Sequence, residues 1–253
     1  MRRPGRRGGR QLALQRRLVA ADRPECWDLR WVPVCSSTEA VLAEWLREAS
    51  DLQRPRAVLA RHQRHGFGQR GRVWSAPPGG IWLSAAMPWP DQARGGAGLI
   101  GLALALSLSQ RLERHGVPVR IKWPNDLLVD GRKLAGLLPR LVHRGNRLRL
   151  VRCGVGLNVC NNVPAGGIAL GDLLPAAAAR PDAWVVELLR ALEECRVLAA
   201  QSPAWLAQVE ARLWMNHVPS GDGGDPWTIE GLSSAGGLQL RRGDQCTEWI
   251  RWP

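Results

Sequence analysis

The sequence predicts a mixed α/β fold of the α+β type: a mixed-sheet domain over residues 27–212, a small β module over 213–253, and a basic tail over 1–25. Three observations predict it. From Trp31 the apolar pattern runs strand, helix, strand, glycine-rich loop, strand, helix. Hairpin signals follow at Asp130-Gly131 and Gly145-Asn146, and after Met215 helical spacing gives way to short strands and glycine turns.

Taken in order, WVPVC reads as a short strand, and AVLAEWLREA has apolar residues at helical spacing behind SSTE, where Ser36 and Glu39 fit a capping box. Residues 57–60 and 81–85 are strands on either side of a loop that runs to Gly80. The uncharged run GGAGLIGLALALSLSQ, residues 95–110, is too short to span a bilayer. Its small residues suit a helix, over 96–113, packed closely on a sheet. Residues 119–123 are extended, and LLV and RKLAGLL flank Asp130-Gly131, a two-residue turn whose central positions both need positive φ. Gly145-Asn146 turns the chain into RLRLVRCGVGLNV. Pro181 and Ser202-Pro203 then open two helices, over 182–200 and 204–214.

The 253 residues are 45% hydrophobic, enough for a core. Of the formal charge of +13, +6 lies in residues 1–25, leaving +7 for the rest. The opening MRRPGRRGGR is too polar to offset its own ordering entropy, so a disordered tail is expected. Six cysteines form no CxxC pair and have no histidine at metal spacing, and no secretory signal precedes them, so the expectation is a reduced cytoplasmic protein without zinc and without a membrane segment.

The chemistry concentrates in two stretches. RHQRHGFGQRGRVWSAPPGG contains GFGQRG, a literal GxGxxG, yet Pro77, Pro78, Gly79 and Gly80 follow too soon for the helix that a dinucleotide fingerprint requires. What remains is a loop whose backbone at Gly66, Gly68 and Gly71 approaches an anion closely, with Arg70 and Arg72 beside it. IKWPNDLLVDGRKLAG contains the chain's only two lysines, Lys122 and Lys133, against 33 arginines. A solvated lysine in so arginine-rich a chain would have no reason to persist, so both are read as chemical. Pro124 cannot donate to a sheet ladder, so the chain leaves the sheet there and presents Asn125 and Asp126.

The loop at 63–74, KWPND, GRKLAGLL and GVGLNV, in this order, resemble the biotin protein ligases, and WTIEGLSSAGGLQLRRGD is similar to that family's small SH3-like β-barrel. The resemblance implies a catalytic domain like the class II aminoacyl-tRNA synthetases and biotin synthetases. It implies a monofunctional enzyme, a biotin--[biotin carboxyl-carrier protein] ligase, that makes biotinyl-5′-AMP from biotin and ATP with Mg²⁺. The biotinyl group then passes to a lysine of the biotin carboxyl carrier protein, the biotinyl domain of acetyl-CoA carboxylase.

Carried over, Ser37, Thr38 and Gln63 would meet the biotin head group, with Gly66, Phe67, Gly68, Gln69, Trp74 and Gly136 along the rest of biotin and the acyl phosphate. Lys133 would bridge carboxyl and α-phosphate. Arg70, Arg72, Lys122 and Asn125 would serve the phosphates, Asp126 the phosphates and Mg²⁺, and Asp126 would help deprotonate the incoming lysine. Gly154, Gly156 and Asn158 would hold adenosine. Two departures stand out: Phe67 and Gln69 replace the first two arginines of the family's usual loop, and Glu39 stands where Ser-Thr-Asn is usual. A lipoate or octanoate ligase would use the same logic. A DNA-binding repressor is disfavoured, since only about thirty residues precede the resemblance, too few for a three-helix reader, and no specific nucleic-acid partner is expected.

Overall fold

The computed structural model describes residues 27–48, 52–89, 96–220 and 223–251; the predicted tail lies outside them. Strands β1 (Asp28–Cys35) and β2 (Arg56–Gln63) run parallel, joined by helix α1 (Thr38–Glu48). Strands β3 (Ile81–Pro88), β4 (Arg120–Lys122), β5 (Asp126–Val129), β6 (Arg132–Arg144) and β7 (Arg147–Leu157) complete a seven-stranded sheet in the order β1-β2-β3-β7-β6-β5-β4, antiparallel from β2 onward. The predicted turn forms with Asp130 at φ 48° and Gly131 at φ 74°, which joins β5 to β6 tightly. Pro139 sits within β6 opposite Cys153 of β7, beyond the last β5 pairing at Gly136, so its missing N–H breaks no ladder.

Helices α2 (Ala97–Arg114) and α3 (Pro181–Ala200) pack on each other and share a core with one sheet face through Leu83, Leu137 and Val155. Small residues allow the close approach: a Cβ on Gly101 of α2 would stand 3.1 Å from Pro139 Cγ. Arg111 ties the two helices, donating to Glu187 at 2.6 Å and to both carboxylate oxygens of Glu194. The opposite face carries α1, with Leu42 against Val58, Ala86 and Leu150. Beyond α1 that face continues as Ser84, Gly154, Gly156 and Gly136, with little side chain above it.

The chain ends in a second, four-stranded antiparallel sheet, β8 (His217–Val218), β9 (Trp227–Leu232), β10 (Leu238–Arg242) and β11 (Gln245–Trp249). Val218, Leu232, Leu238 and Leu240 join the main core, and Trp123 Nε1 donates to Gly236 O at 2.9 Å. No helix among the described residues is long and apolar enough to cross a membrane.

Two local expectations are corrected. Ser37, not Ser36, caps α1: its Oγ accepts from Ala40 N at 3.2 Å, while Ser36 Oγ lies 3.3 Å from His65 Nδ1. With Ser37 as cap the reciprocal position falls on Ala40, so Glu39 is left to pair elsewhere. The second predicted helix, 204–214, shrinks to a 3₁₀ turn (Pro203–Trp205) and α4 (Leu206–Glu210). The edge strand β4 captures the residues after α4: Ile121 N donates to Arg212 O at 2.7 Å and Trp214 N to Ile121 O at 2.9 Å.

Arg111 is 7% exposed and bridges both glutamates; removing it takes that counter-charge from Glu194, 38% exposed, and leaves Glu187 with Arg190 at 3.5 Å. Arg111→Ala is expected to cost about 1–3 kcal/mol of stability, read by urea denaturation of variant and parent.

Candidate active site

The bare stretch of sheet floors a cavity of about 620 Å³, walled by the start of α1, the loop after β2, the β4–β5 turn and the first residues of β6. Its floor must be glycine. A Cβ at Gly156 would lie 2.5 Å from Trp74 Cε2, and one at Gly136 2.9 Å from Trp74 Cζ3, because the indole rests on the backbone of β6 and β7. Trp74 packs edge-on to Trp82 at 6.3 Å, and its Nε1, shielded from solvent, has no hydrogen-bond partner.

Above the indole stands Lys133, its Nζ 5.0 Å from the ring centroid and 2.7 Å from Asp126 Oδ2. The Lys133 backbone is fixed on both sides: its N–H donates to Gly166 O at 2.8 Å, and its carbonyl accepts from Ile168 N and from Asn158 Nδ2. Asp126 Oδ1 is buried without a hydrogen bond. KWPND is the turn between β4 and β5 rather than an exit from the sheet, because the chain rejoins the ladder at once, Asp126 pairing with Lys122. Asn125 is held to β6 in both directions, Nδ2 donating to Leu137 O at 3.0 Å and its own carbonyl accepting from Leu137 N at 2.8 Å.

At the α1 end, Thr38 N and Oγ1 both donate to Gln63 Oε1, at 2.7 and 3.0 Å, and Thr38 Oγ1 lies 2.8 Å from Ser84 Oγ. The Gln63 carbonyl is thus spent inside the protein, and its Nε2 remains the amide's donor. The loop folds back on itself through Gly68 N donating to Arg72 O and a bridge between Phe67 and Val73, with Arg70 at φ 56° at its tip. The Phe67 ring faces the Arg140 guanidinium at 5.6 Å.

The cavity brings together Ser37, Thr38, Gln63, Phe67, Gly68, Gln69, Arg70, Arg72, Trp74, Lys122, Asn125, Asp126, Lys133, Gly136, Gly154 and Gly156. Gly66 and Asn158 stand outside its lining. Gly66 backs the site, its carbonyl accepting from Trp74 N at 2.9 Å and a Cβ there meeting Trp74 O at 2.7 Å. The Asn158 amide is engaged at both ends, donating to Lys133 O and accepting from Asn161 Nδ2. Sequence reasoning missed Ser84, a lone hydroxyl in an apolar strand, and Met215, Pro219 and Arg251, which the C-terminal segment brings to the rim with no local signal.

The sequence profile of the Biotin/lipoate A/B protein ligase family matches residues 31–158, half of the chain. The chain belongs to that family. A biotin--[acetyl-CoA-carboxylase] ligase of Paracoccus denitrificans is 31% identical over 176 residues, covering 68% of this chain and 72% of the relative. The bifunctional ligase/repressor BirA of Escherichia coli (strain K12) is 36% identical over 132 residues, which span 51% of this chain and 39% of BirA. The fold is that of a biotin protein ligase from Aquifex aeolicus solved with biotin and ATP: TM-score 0.70 at 22% identity, over 88% of this chain and 96% of that one. In this family member the matched segment holds the loop, KWPND and GRKLAG.

Because Trp74 rests on Gly156, Gly156→Ala is expected to lower stability by about 1–3 kcal/mol through overpacking. Gly154→Ala, whose Cβ would meet Leu138 Cβ at an ordinary 3.5 Å, is expected to fall well below that range, so thermal melts of the pair check the floor.

Proposed function

We propose that this chain is an ATP-dependent ligase that activates biotin as biotinyl-5′-AMP and transfers it to a lysine of a biotin carboxyl carrier domain, as the names of its relatives indicate for them. The observation that carries this is a cavity with two chemically distinct groups of residues: hydrogen-bonding side chains at Ser37, Thr38, Gln63 and Ser84, with Glu39 beside them balanced by Arg152, and cations at Arg70, Arg72, Lys122 and Lys133. The first suits a polar, uncharged head group. The second suits phosphates.

In the first step a carboxylate oxygen of biotin attacks the α-phosphorus of ATP; the C–O–P bond forms and the bond to pyrophosphate breaks. Two anions must meet, and like unit charges about 4 Å apart repel by roughly 4 kcal/mol at an effective dielectric near 20. Lys133, whose backbone is fixed, offsets that repulsion between carboxylate and α-phosphate. Arg70 and Arg72 on the loop and Lys122 on β4 take the remaining phosphate charge. In the second step the carrier amine attacks the acyl carbon, an amide forms, AMP leaves with the electron pair, and Asp126 accepts the ammonium proton. Mg²⁺ commonly binds through one or two carboxylates plus phosphate oxygens, and the unpartnered Asp126 Oδ1 fits that need; the ion would add charge neutralisation at the phosphates. The +7 outside the tail favours an acidic carrier surface. A cytoplasmic setting is consistent with free thiols at Cys35, Cys153, Cys160, Cys195 and Cys246.

Pyrophosphate release with biotin, lipoate and octanoate tested in parallel decides the reading: release with biotin alone supports it, and release with lipoate or octanoate instead overturns it. Lys133→Arg is expected to fold normally and to lose at least about 10²-fold in adenylation, because a planar guanidinium does not replace a compact ammonium between two oxyanions. Lys122→Arg is expected to lose less. Adenylation rates of the two variants at saturating ATP check the difference.

A further inference from the structure

Past Leu138 and Gly154, which line the first cavity, the same face of β6 and β7 runs on to Val142, paired with Leu150, and Leu46 of α1 packs beside them. A groove of about 300 Å³ opens there, at the lower end of the size range of small-molecule sites. Its floor is apolar: Leu46, Leu52, Val142 and Leu150. Its rim is cationic, with Arg47, Arg149 and Arg152, and among the described residues no carboxylate lines it.

The three arginines are not equivalent. Arg152 is balanced by Glu39, its Nη2 2.8 Å from Oε1, so it adds little net charge. Arg47 lies in the last turn of α1, where a cation offsets the carbonyl end of the helix dipole. Arg149 has neither use. The β6–β7 register slips at this point: Val142 faces Leu150 and His143 faces Leu148, which leaves Arg149 as the extra residue of a bulge, and a bulge re-aims a side chain. Arg47 and Arg149 are both exposed, and neither guanidinium makes an ion pair or a hydrogen bond among the described residues.

An apolar floor below unpaired guanidiniums complements a chain that removes methylenes from water and ends in an anion. A plain hydrocarbon would leave the cations unused, and a bare inorganic anion would leave the floor wet. We propose that this groove is a second ligand site, for a linear alkyl carboxylate whose chain lies on Leu46, Leu52, Val142 and Leu150 and whose head meets Arg47 and Arg149. The site stands apart from the ligase reading, because the groove and the first cavity share no lining residue.

Isothermal titration of the full chain with hexanoate, octanoate and decanoate tests the assignment. Affinity is expected to rise by up to about fourfold per added methylene while the chain stays on the floor. Decanol, the same chain without the charge, is expected to bind at least about fivefold more weakly than decanoate. Arg47→Ser and Arg149→Ser each weaken decanoate by about three- to tenfold, whereas Arg149→Lys keeps most of the affinity. Leu46→Glu, which sets a like charge on the floor, weakens it further, and the two serine variants at exposed positions decide the matter if that variant fails to fold. Melting temperatures of the unliganded serine variants stay near the parent's, and the decanoate site survives Lys133→Ala. Absence of decanoate binding by the parent, equal affinities for decanol and decanoate, or an affinity unmoved by both serine variants overturns the assignment. Loss of binding in Lys133→Ala with both serine variants at the parental affinity places the carboxylate in the first cavity and overturns it as well.

Discussion

An indole and a Cβ cannot occupy the same space, and the site is arranged around that exclusion at Gly156 and Gly136. With both positions bare, Trp74 lies on the sheet backbone and pins the far end of the loop that starts at Gln63 in β2. The same indole gives Lys133 an aromatic face to stand over, which sets where the ammonium sits relative to Asp126. A side chain on either glycine would displace Trp74, and through it the loop that presents Arg70 and Arg72 as well as the position of Lys133.

The cations divide between rigid and adaptable supports. Lys122 and Lys133 belong to strands whose ladders fix their backbones, and Lys133 has further bonds to Gly166, Ile168 and Asn158. Arg70 and Arg72 ride a loop held by a few backbone bonds, with Val73 91% exposed beside them. Few buried contacts mean low local stability, so this wall moves at less cost than the floor. The Lys133–Asp126 pair, with side chains 36% and 18% exposed, is solvated enough for its attraction to be modest, so on the proposed reading an oxyanion could compete for the ammonium.

What could be read in the sequence was local. Asp130-Gly131 declared its turn because two adjacent positive φ values need such residues, and the small-residue run at 95–110 declared a helix in close contact with the sheet. KWPND and GRKLAG lie eleven residues apart at their lysines on the two arms of one hairpin, which brings Lys133 within reach of Asp126 although the register sets Lys133 opposite Leu128 and Asp126 opposite Gly136. What could not be read was non-local. The shortened helix at 206–210 depends on an edge strand some ninety residues earlier, Glu39 turns from its own helix start to a guanidinium on β7, and Arg251 reaches the cavity only because a separate small sheet docks beside it. Asn158 shows the complementary limit: its amide is spent holding Lys133 and Asn161, a use that only the folded neighbourhood defines.

The disparity between 33 arginines and two lysines has the same geometric logic. Where the fold needs a planar fork it has arginine: Arg111 grips Glu194 with two nitrogens and Glu187 with a third, and Arg212 meets Glu113 through Nε and Nη2 at 2.7 and 2.8 Å. Where the fold needs a flat cation over a ring it again has arginine, at Arg30 above Trp45 and Arg242 above Trp227. Those contacts are made between groups of the protein itself. On the proposed reading Lys133 would need the opposite property, a compact charge at the end of a flexible stem that could release a carboxylate and turn to another oxyanion without moving its backbone. A guanidinium bound bidentately would hold Asp126 too well to exchange it, and its planar fork fits poorly between the Trp74 face and a phosphate. On that reading the two kinds of cation sort by whether a contact persists or is exchanged.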